Sequence, residues 1–296
     1  MRALLFGGTG QVGAEICTLA DDAEADLVAP GHAEFDLTDS TAIGRMIAAG
    51  PWDVIINAAA YTNVDGAESN EAMAFAVNAE APARMAAETG RRGIPLLHIS
   101  TDYVFDGRKG APYVEQDKVG PLSAYGRSKA EGERFIRAGN ERHIILRTSW
   151  VYSHHHKNFV KTILQLAKTR DQLKIVADQH GCPTRAGDIA KTCLDIARRC
   201  ALDREKALYG IYHYAGAGET TWFEFATTIV NLASKRLSRR PEVLPIPTRD
   251  YPTPAIRPLD TRLSCALVVQ NFNIALQPWQ QALTETIDRL LTKDFQ

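Results

Sequence analysis

The chain has 296 residues, 45% hydrophobic and 23% charged, the profile of a soluble globular protein large enough to bury a substantial core as one large domain or two joined ones. Its formal net charge of -1 supplies no global field toward nucleic acid or an anionic membrane. No apolar run approaches the ~20 residues that a membrane-spanning helix needs. The five cysteines, Cys17, Cys182, Cys193, Cys200 and Cys265, are odd in number, scattered and without a C-x-x-C. Reduced thiols in a cytoplasmic protein are therefore expected, with Cys17 and Cys193 as packing residues in helical patterns. The first residues run straight into a strand without the features of a secretory leader, which fits the same compartment.

Ala3 to Phe6 reads as a buried strand, followed by Gly7-Gly8-Thr9-Gly10-Gln11-Val12-Gly13 and a helical pattern to about Leu19. Glycines in a strand-turn-helix permit a tight turn and let backbone N–H groups at the helix start approach a pyrophosphate, so Gly7, Gly10 and Gly13 point to dinucleotide binding. The second strand, Asp26 to Ala29, leads to Pro30-Gly31-His32 with no acid at its end. An acid there would hold ribose hydroxyls and repel a 2'-phosphate, so Gly31 leaves both NADPH and NADH open. Asp36 reads equally as a partner for the adenine or, with Thr38, as a lead into the next helix.

Ser40 to Ala49 reads as a helix and Asp53 to Asn57 as the third strand, ending in three alanines that suit contact with a flat cofactor. A long Ala-rich helix is expected over Glu71 to Glu88, with Asn78 inside it needing a side-chain partner. The fourth strand, Ile94 to Ser100, ends at Thr101 and Asp102, where ligands of open parallel sheets bind. Tyr125 and Lys129 then stand four apart on a helix over Tyr125 to Arg137, on one face. An ammonium there would lower the phenol pKa from its usual value of about 10 and ready Tyr125 for proton transfer. Y-x-x-x-K is a common spacing by itself, and the preceding strand ends give it meaning.

The strand Ile144 to Arg147 leads to Thr148-Ser149-Trp150, and then to a loop with His154, His155 and His156. Adjacent imidazoles are not a spaced ligand set, so a mobile surface loop is expected and no metal. Helix Phe159 to Ala167, strand Leu173 to Val176, helix Asp188 to Arg199, strand Ile211 to Tyr214 and helix Trp222 to Ala233 follow. The basic run Lys235, Arg236, Arg239 and Arg240 reads as a solvated helix end. Pro241 to Pro258 holds six prolines and is expected to be an ordered loop facing the substrate. A helix over Trp279 to Leu291 closes the chain.

The order of glycine turn, Ser100-Thr101-Asp102 and Tyr125-x-x-x-Lys129 resembles the extended short-chain dehydrogenase/reductases. The strings LLFGGTGQVG, VIINAAAYTNVDGAES, STDYVFDG, LSAYGRSKAEGE, RTSWVYS, TWFEFA and YPTPAIRP resemble the dTDP-4-dehydrorhamnose reductase family over nearly the whole chain. That resemblance implies a Rossmann-type doubly wound parallel sheet in residues 1–150, with 187–215 returning to it, and a smaller, discontinuous substrate-binding region mainly in 151–296. It implies hydride transfer from NADPH or NADH to the C4 ketone of dTDP-4-dehydro-L-rhamnose. Thr101, Tyr125 and Lys129 would be catalytic. Gly10, Gln11 and Val12 would meet the pyrophosphate, Asp36 and Leu37 the adenosine, and Ala60, Tyr61 and Thr62 the nicotinamide side. Asp102 and Trp150 match substrate positions, with Gln179 and Arg257 also facing the sugar nucleotide; Trp150 reads alternatively as a core residue at a strand end.

Some members dimerise through a magnesium cluster of glutamates. Glu15 matches one of these positions, but the others fall on Gly187 and Gln280, so a homodimer is left open and that metal site is not expected. A nucleotide-sugar dehydratase shares the fold but commonly has an Asp-Glu after the Thr, where this chain has Asp102-Tyr103. A non-catalytic NADP-binding regulatory subunit also resembles these reductases, and the intact Thr, Tyr and Lys speak against it.

Overall fold

In the computed structural model, which describes residues 1–31, 34–205, 208–234, 236 and 240–293, the apolar runs become the centre of one sheet. The strands β1 (Arg2–Phe6), β2 (Asp26–Val28), β3 (Val54–Asn57), β4 (Leu96–Thr101), β5 (His143–Thr148) and the later β10 (Gly210–His213) form a six-stranded sheet in the order β10-β5-β4-β3-β1-β2. Every pairing in it is parallel. Continuous apolar strands such as Val54–Asn57 are buried on both faces, as parallel sheets require.

Helices cover both faces. α1 (Gln11–Leu19) packs on one face with the later α8 (Ala186–Leu202). α2 (Ser40–Ala48), α5 (Ala81–Arg92) and α6 (Ala124–Gly139) cover the other. Asp39 caps α2 by accepting from the Thr41 and Ala42 N–H groups, and Ser123 caps α6 through the Gly126 N–H, each satisfying otherwise orphaned donors.

The expected single helix over Glu71 to Glu88 is instead three pieces after the short α3 (Val64–Ser69): α4 (Glu71–Phe75), a π-helical turn over Ala76–Glu80, and α5. Asn78 lies within that turn, and its amide reaches Tyr61 and Ser128. An extra residue in a helical turn lets a polar side chain point inward at a functional site. The need for an Asn78 partner is thus met across two elements.

The second, smaller core holds β6 (Val151–Tyr152), α7 (Phe159–Ala167), β7 (Gln172–Val176), α9 (Trp222–Ala233), β12 (Glu242–Ile246) and α11 (Trp279–Lys293). Short strands β8 (His180–Gly181), β9 (Thr184–Arg185) and β11 (Thr220–Thr221) and helix α10 (Ala266–Phe272) complete the elements. β6 pairs with β9, β8 with β11 and β7 with β12. The last pairing corrects the proline-rich loop expectation for Glu242 to Ile246, because a two-stranded sheet leaves edges on which Pro245 needs no donor. Beyond it, a 3₁₀ turn over Thr248–Asp250 leads into an irregular segment.

Lys235 and Arg239 of the basic run lie outside the described residues. Arg236 lies 3.4 Å from Asp288, and Arg240 donates to Asn231 at 2.7 Å. Cys17 is exposed, whereas Cys193 is buried as expected. Among the described residues no helix is long and apolar enough to cross a membrane.

Candidate active site

The cofactor end is built at the carboxyl edge of β1. Gly7 has φ +86°, and a Cβ there would lie 2.5 Å from the Ala59 nitrogen; one on Gly13 would lie 2.0 Å from the Gly7 carbonyl oxygen. Only glycine allows this approach of turn, helix and the loop after β3. α1 begins at Gly10 with no side chain capping its N–H groups, leaving donors where a pyrophosphate would sit.

The Gln11 side chain turns toward the loop after β6. Its Oε1 accepts from Ser153 at 2.9 Å and from Asn158 at 3.0 Å, so its carbonyl oxygen anchors the loop after β6. Val12 is buried. That anchoring holds the loop, expected to lie at the surface, against α1. His154 Nδ1 lies 3.2 Å from Glu15 Oε1 and His155 Nε2 3.8 Å from it, with ligand-type atoms of the three residues within 4.8 Å of one another. The imidazoles converge because both face the same turn of α1. This donor set differs from the oxygen-only set that magnesium prefers, and Gly187 supplies no side-chain ligand, so no step below passes through a metal.

At the adenosine end, Asp36 Oδ1 accepts from both the N–H and the hydroxyl of Thr38 at 2.8 Å, and Leu37 is half-buried. An acid does stand near the end of β2. Glu34 Oε2 accepts from the Gly31 N–H at 3.1 Å, a contact hidden from the sequence because it arises from a turn.

Of the residues that the resemblance places beside the nicotinamide, Ala60 and Tyr61 are half-buried and Thr62 is exposed. The Tyr61 N–H donates to Asn78 at 2.8 Å. Thr101 ends β4 and accepts from the Tyr103 N–H, opening the 3₁₀ turn Asp102–Val104. A Cβ on Gly126 would lie 2.3 Å from the Tyr103 carbonyl oxygen, so the start of α6 presses against that turn. This contact brings Tyr125 close enough to Thr101 for the hydroxyl to favour the phenolate, against the larger effect of burial.

The expected lowering of the Tyr125 pKa by Lys129 is overturned in the ligand-free protein. Burial pushes the phenol up to about 12, against the Thr101 hydrogen bond and with help from Asp102. Desolvation favours the neutral acid, so the Tyr125 phenol is held protonated. Lys129 is drawn down to about 8 by burial, opposed by the Glu133 charge. Its Nζ lies 3.1 Å from His98 Nε2 and donates to the Ile99 carbonyl at 2.7 Å.

Asp102 is buried, its Oδ2 without a hydrogen-bond partner. Burial raises its carboxyl from 3.8 to about 7, against the pull of the Thr261 and Thr101 hydroxyls. A carboxyl raised on folding favours the protonated fold, so its contribution is full below 3.8 and is lost as pH rises toward about 7. Asp102→Asn is expected to flatten the pH dependence of stability across that window. Urea melts of both proteins at either side of it check this; an unchanged difference would count against it.

Trp150 has φ +45° and stacks on Trp222 at 3.6 Å between centroids and 7° between planes. Gly181 lies against the indole, where a Cβ would come within 2.3 Å. Trp150 is half-buried at the edge of the smaller core, where it packs with Trp222, in keeping with its reading as a core residue at a strand end. Trp222 escaped sequence reasoning although its string TWFEFA stood out. Gln179 is buried and donates to Thr248 at 3.1 Å. Arg257 pairs with Asp65 at 2.8 Å, and its charge acts on Tyr103, whose ring meets that of Tyr125 edge-on at 5.7 Å. The proline-rich segment is thereby tied to α3 and to the tyrosine pair.

Comparison with known proteins agrees with this geometry. The family described as RmlD substrate binding domain matches residues 1–292. The chain is 41% identical to the dTDP-4-dehydrorhamnose reductase of Sinorhizobium fredii, over 98% of each chain. It superimposes on the crystal structure of a dTDP-4-dehydrorhamnose reductase from Clostridium acetobutylicum with a TM-score of 0.90 and 35% identity, covering 98% of this chain and 99% of that one. The Bacillus anthracis enzyme in complex with NADP gives 0.89 and 30%, covering 97% and 99%. With a glycine turn, a Thr-Tyr-Lys set at adjoining strand and helix ends, and this similarity along its whole length, the chain belongs to the dTDP-4-dehydrorhamnose reductase family.

Proposed function

We propose that the chain reduces the C4 ketone of dTDP-4-dehydro-L-rhamnose to dTDP-L-rhamnose with NADPH or NADH, with Tyr125 as proton donor. The carrying observation is that the buried Tyr125 phenol, held protonated, packs at the strand end that carries Thr101 and one helical turn from Lys129, in a protein of this family. The reduced nicotinamide supplies the hydride when bound. As the ketone oxygen gains negative charge, the Thr101 hydroxyl donates a hydrogen bond to it and Tyr125 delivers its proton. Lys129 stands one helical turn from Tyr125, placed to hold the nicotinamide ribose. Gly7, Gly10 and Gly13 give the pyrophosphate close access to the helix N–H groups. Ala60, Tyr61 and Thr62 flank the nicotinamide.

Asp102, Trp150, Gln179 and Arg257 are assigned to the sugar-nucleotide side. Residues 1–150 with 187–215 form the dinucleotide half and most of 151–296 the sugar-nucleotide half. The setting is the cytoplasm, where both the nucleotide sugar and reduced cofactor are soluble. Supplying dTDP-4-dehydro-L-rhamnose with each cofactor and identifying the product by NMR tests the reading, and absence of dTDP-L-rhamnose would overturn it.

Glu34 bears on the choice of cofactor. A carboxylate at this position opposes a 2'-phosphate. Glu34→Gln is therefore expected to raise kcat/KM for NADPH relative to NADH by roughly fivefold to tenfold, an effect of about 1 kcal/mol. Steady-state kinetics with both cofactors decide it; an unchanged ratio would remove Glu34 from the cofactor site.

A further inference from the structure

His98 is fully buried on β4, opposite Asn57 in the register of β3 and β4. Its ring bridges two nitrogen groups: Asn57 Nδ2 at 2.9 Å from Nδ1, and Lys129 Nζ at 3.1 Å from Nε2. The Asn57 amide has one orientation open to it without loss, because its Oδ1 accepts from the Ala59 N–H at 3.1 Å. Nδ2 must then donate to His98 Nδ1, so the ring proton belongs on Nε2. An Nε2–H group facing Lys129 needs a lone pair there, and only the free amine has one. The amine's remaining hydrogens still serve the Ile99 carbonyl at 2.7 Å.

An ammonium on Lys129 reverses this chain. One proton is added in all: the Nε2 proton passes to Nζ, and the incoming proton resides on Nδ1. That new Nδ1–H faces the Asn57 NH₂ group, donor against donor, unless the amide turns over and abandons the Ala59 N–H. A buried donor without an acceptor is costly. His98 is not rescued by becoming an imidazolium, since burial, then the Lys129 charge, holds it well below its ordinary range.

We propose that Asn57 and His98 couple the charge of Lys129 to the tautomer of His98, favouring the amine, and that His98 is thereby a positioning residue of the active site. The inference rests on the reading of Tyr125 and Lys129 as the working pair. Glu133, on the same helix, is the charged group that acts on Lys129 and favours the ammonium; Tyr125 lies one turn earlier on that face and is held neutral by burial. Ala59 adds a structural link, because its backbone abuts Gly7 in the cofactor turn.

The test is NMR on the intact, ligand-free protein, with imidazole and lysine nitrogens labelled with ¹⁵N and His98→Gln used to assign the ring. The expected result is a His98 tautomer that changes from Nε2–H to Nδ1–H as pH falls, at the same midpoint as Lys129 and without an imidazolium. Asn57→Asp offers the ring a carboxylate oxygen while keeping an acceptor for Ala59. It is expected to fix Nδ1–H throughout and to move the Lys129 midpoint up by about one pH unit or more, with the corresponding limb of the kcat/KM profile shifting alike. A His98 tautomer that stays constant in the native protein while Lys129 titrates, or an Asn57→Asp protein whose Lys129 midpoint does not rise, would overturn the proposal. These resonances are read without substrate, so loss of turnover with intact coupling would count against the reductase reading alone.

Discussion

Tyr125→Phe is expected to lower kcat for dTDP-4-dehydro-L-rhamnose reduction by ~10²–10⁴-fold, the usual worth of a positioned proton donor. The ring would keep its edge contact with Tyr103, at 5.7 Å, and its place in the small cluster with Ala67, Ala74 and Ala124. What is lost is the hydroxyl that the proposed mechanism uses as proton donor. KM should change far less than kcat, because the lost interaction strengthens only as charge develops on the ketone oxygen. Initial rates under saturating cofactor, with melting temperatures to confirm the fold, check this. Full activity in the variant would show that another group protonates the product.

The second large effect is on stability. Arg147 and Glu133 form a two-pronged ion pair, Nε to Oε1 at 2.9 Å and Nη2 to Oε2 at 2.7 Å, with both side chains 5% exposed or less. Ser100 donates to the same carboxylate at 2.6 Å, and the guanidinium lies 5.0 Å from the centre of the Phe105 ring. Removing one partner leaves the other charge in a dry environment, so Glu133→Gln should cost about 3–5 kcal/mol. Replacing both, as Glu133→Leu with Arg147→Met, should recover most of that loss, because desolvation of the two charges is then no longer required. Urea denaturation of the single and double variants measures the difference; a single variant near wild-type stability would mean that water already reaches the pair. The glutamate also reaches the chemistry, since its charge favours the ammonium form of Lys129.

Much of the site was legible because it depends on local geometry. A glycine turn after a buried strand constrains the backbone whatever surrounds it, and Tyr125 and Lys129 share a face on any helix. Thr101 and Asp102 follow from lying at the end of a parallel strand. Contacts between distant elements were another matter. Glu34 reaches back to Gly31 through a turn, Trp222 stacks on Trp150 from another helix, and the loop carrying His154 and His155 folds onto Glu15 because Ser153 and Asn158 bind Gln11.

The sequence by itself determined the alternation of strand and helix, the glycine turn after the first strand and the shared helical face of Tyr125 and Lys129, since these rest on periodicity and on the conformational freedom of glycine. Only the tertiary structure decided the electrostatics. Proximity to Lys129 suggested a lowered phenol pKa for Tyr125, yet burial raises it to about 12. Desolvation is a property of the whole surroundings, and no spacing along the chain encodes it. The same holds for His98, whose partners come from β3 and α6 and meet it only through the register of the sheet.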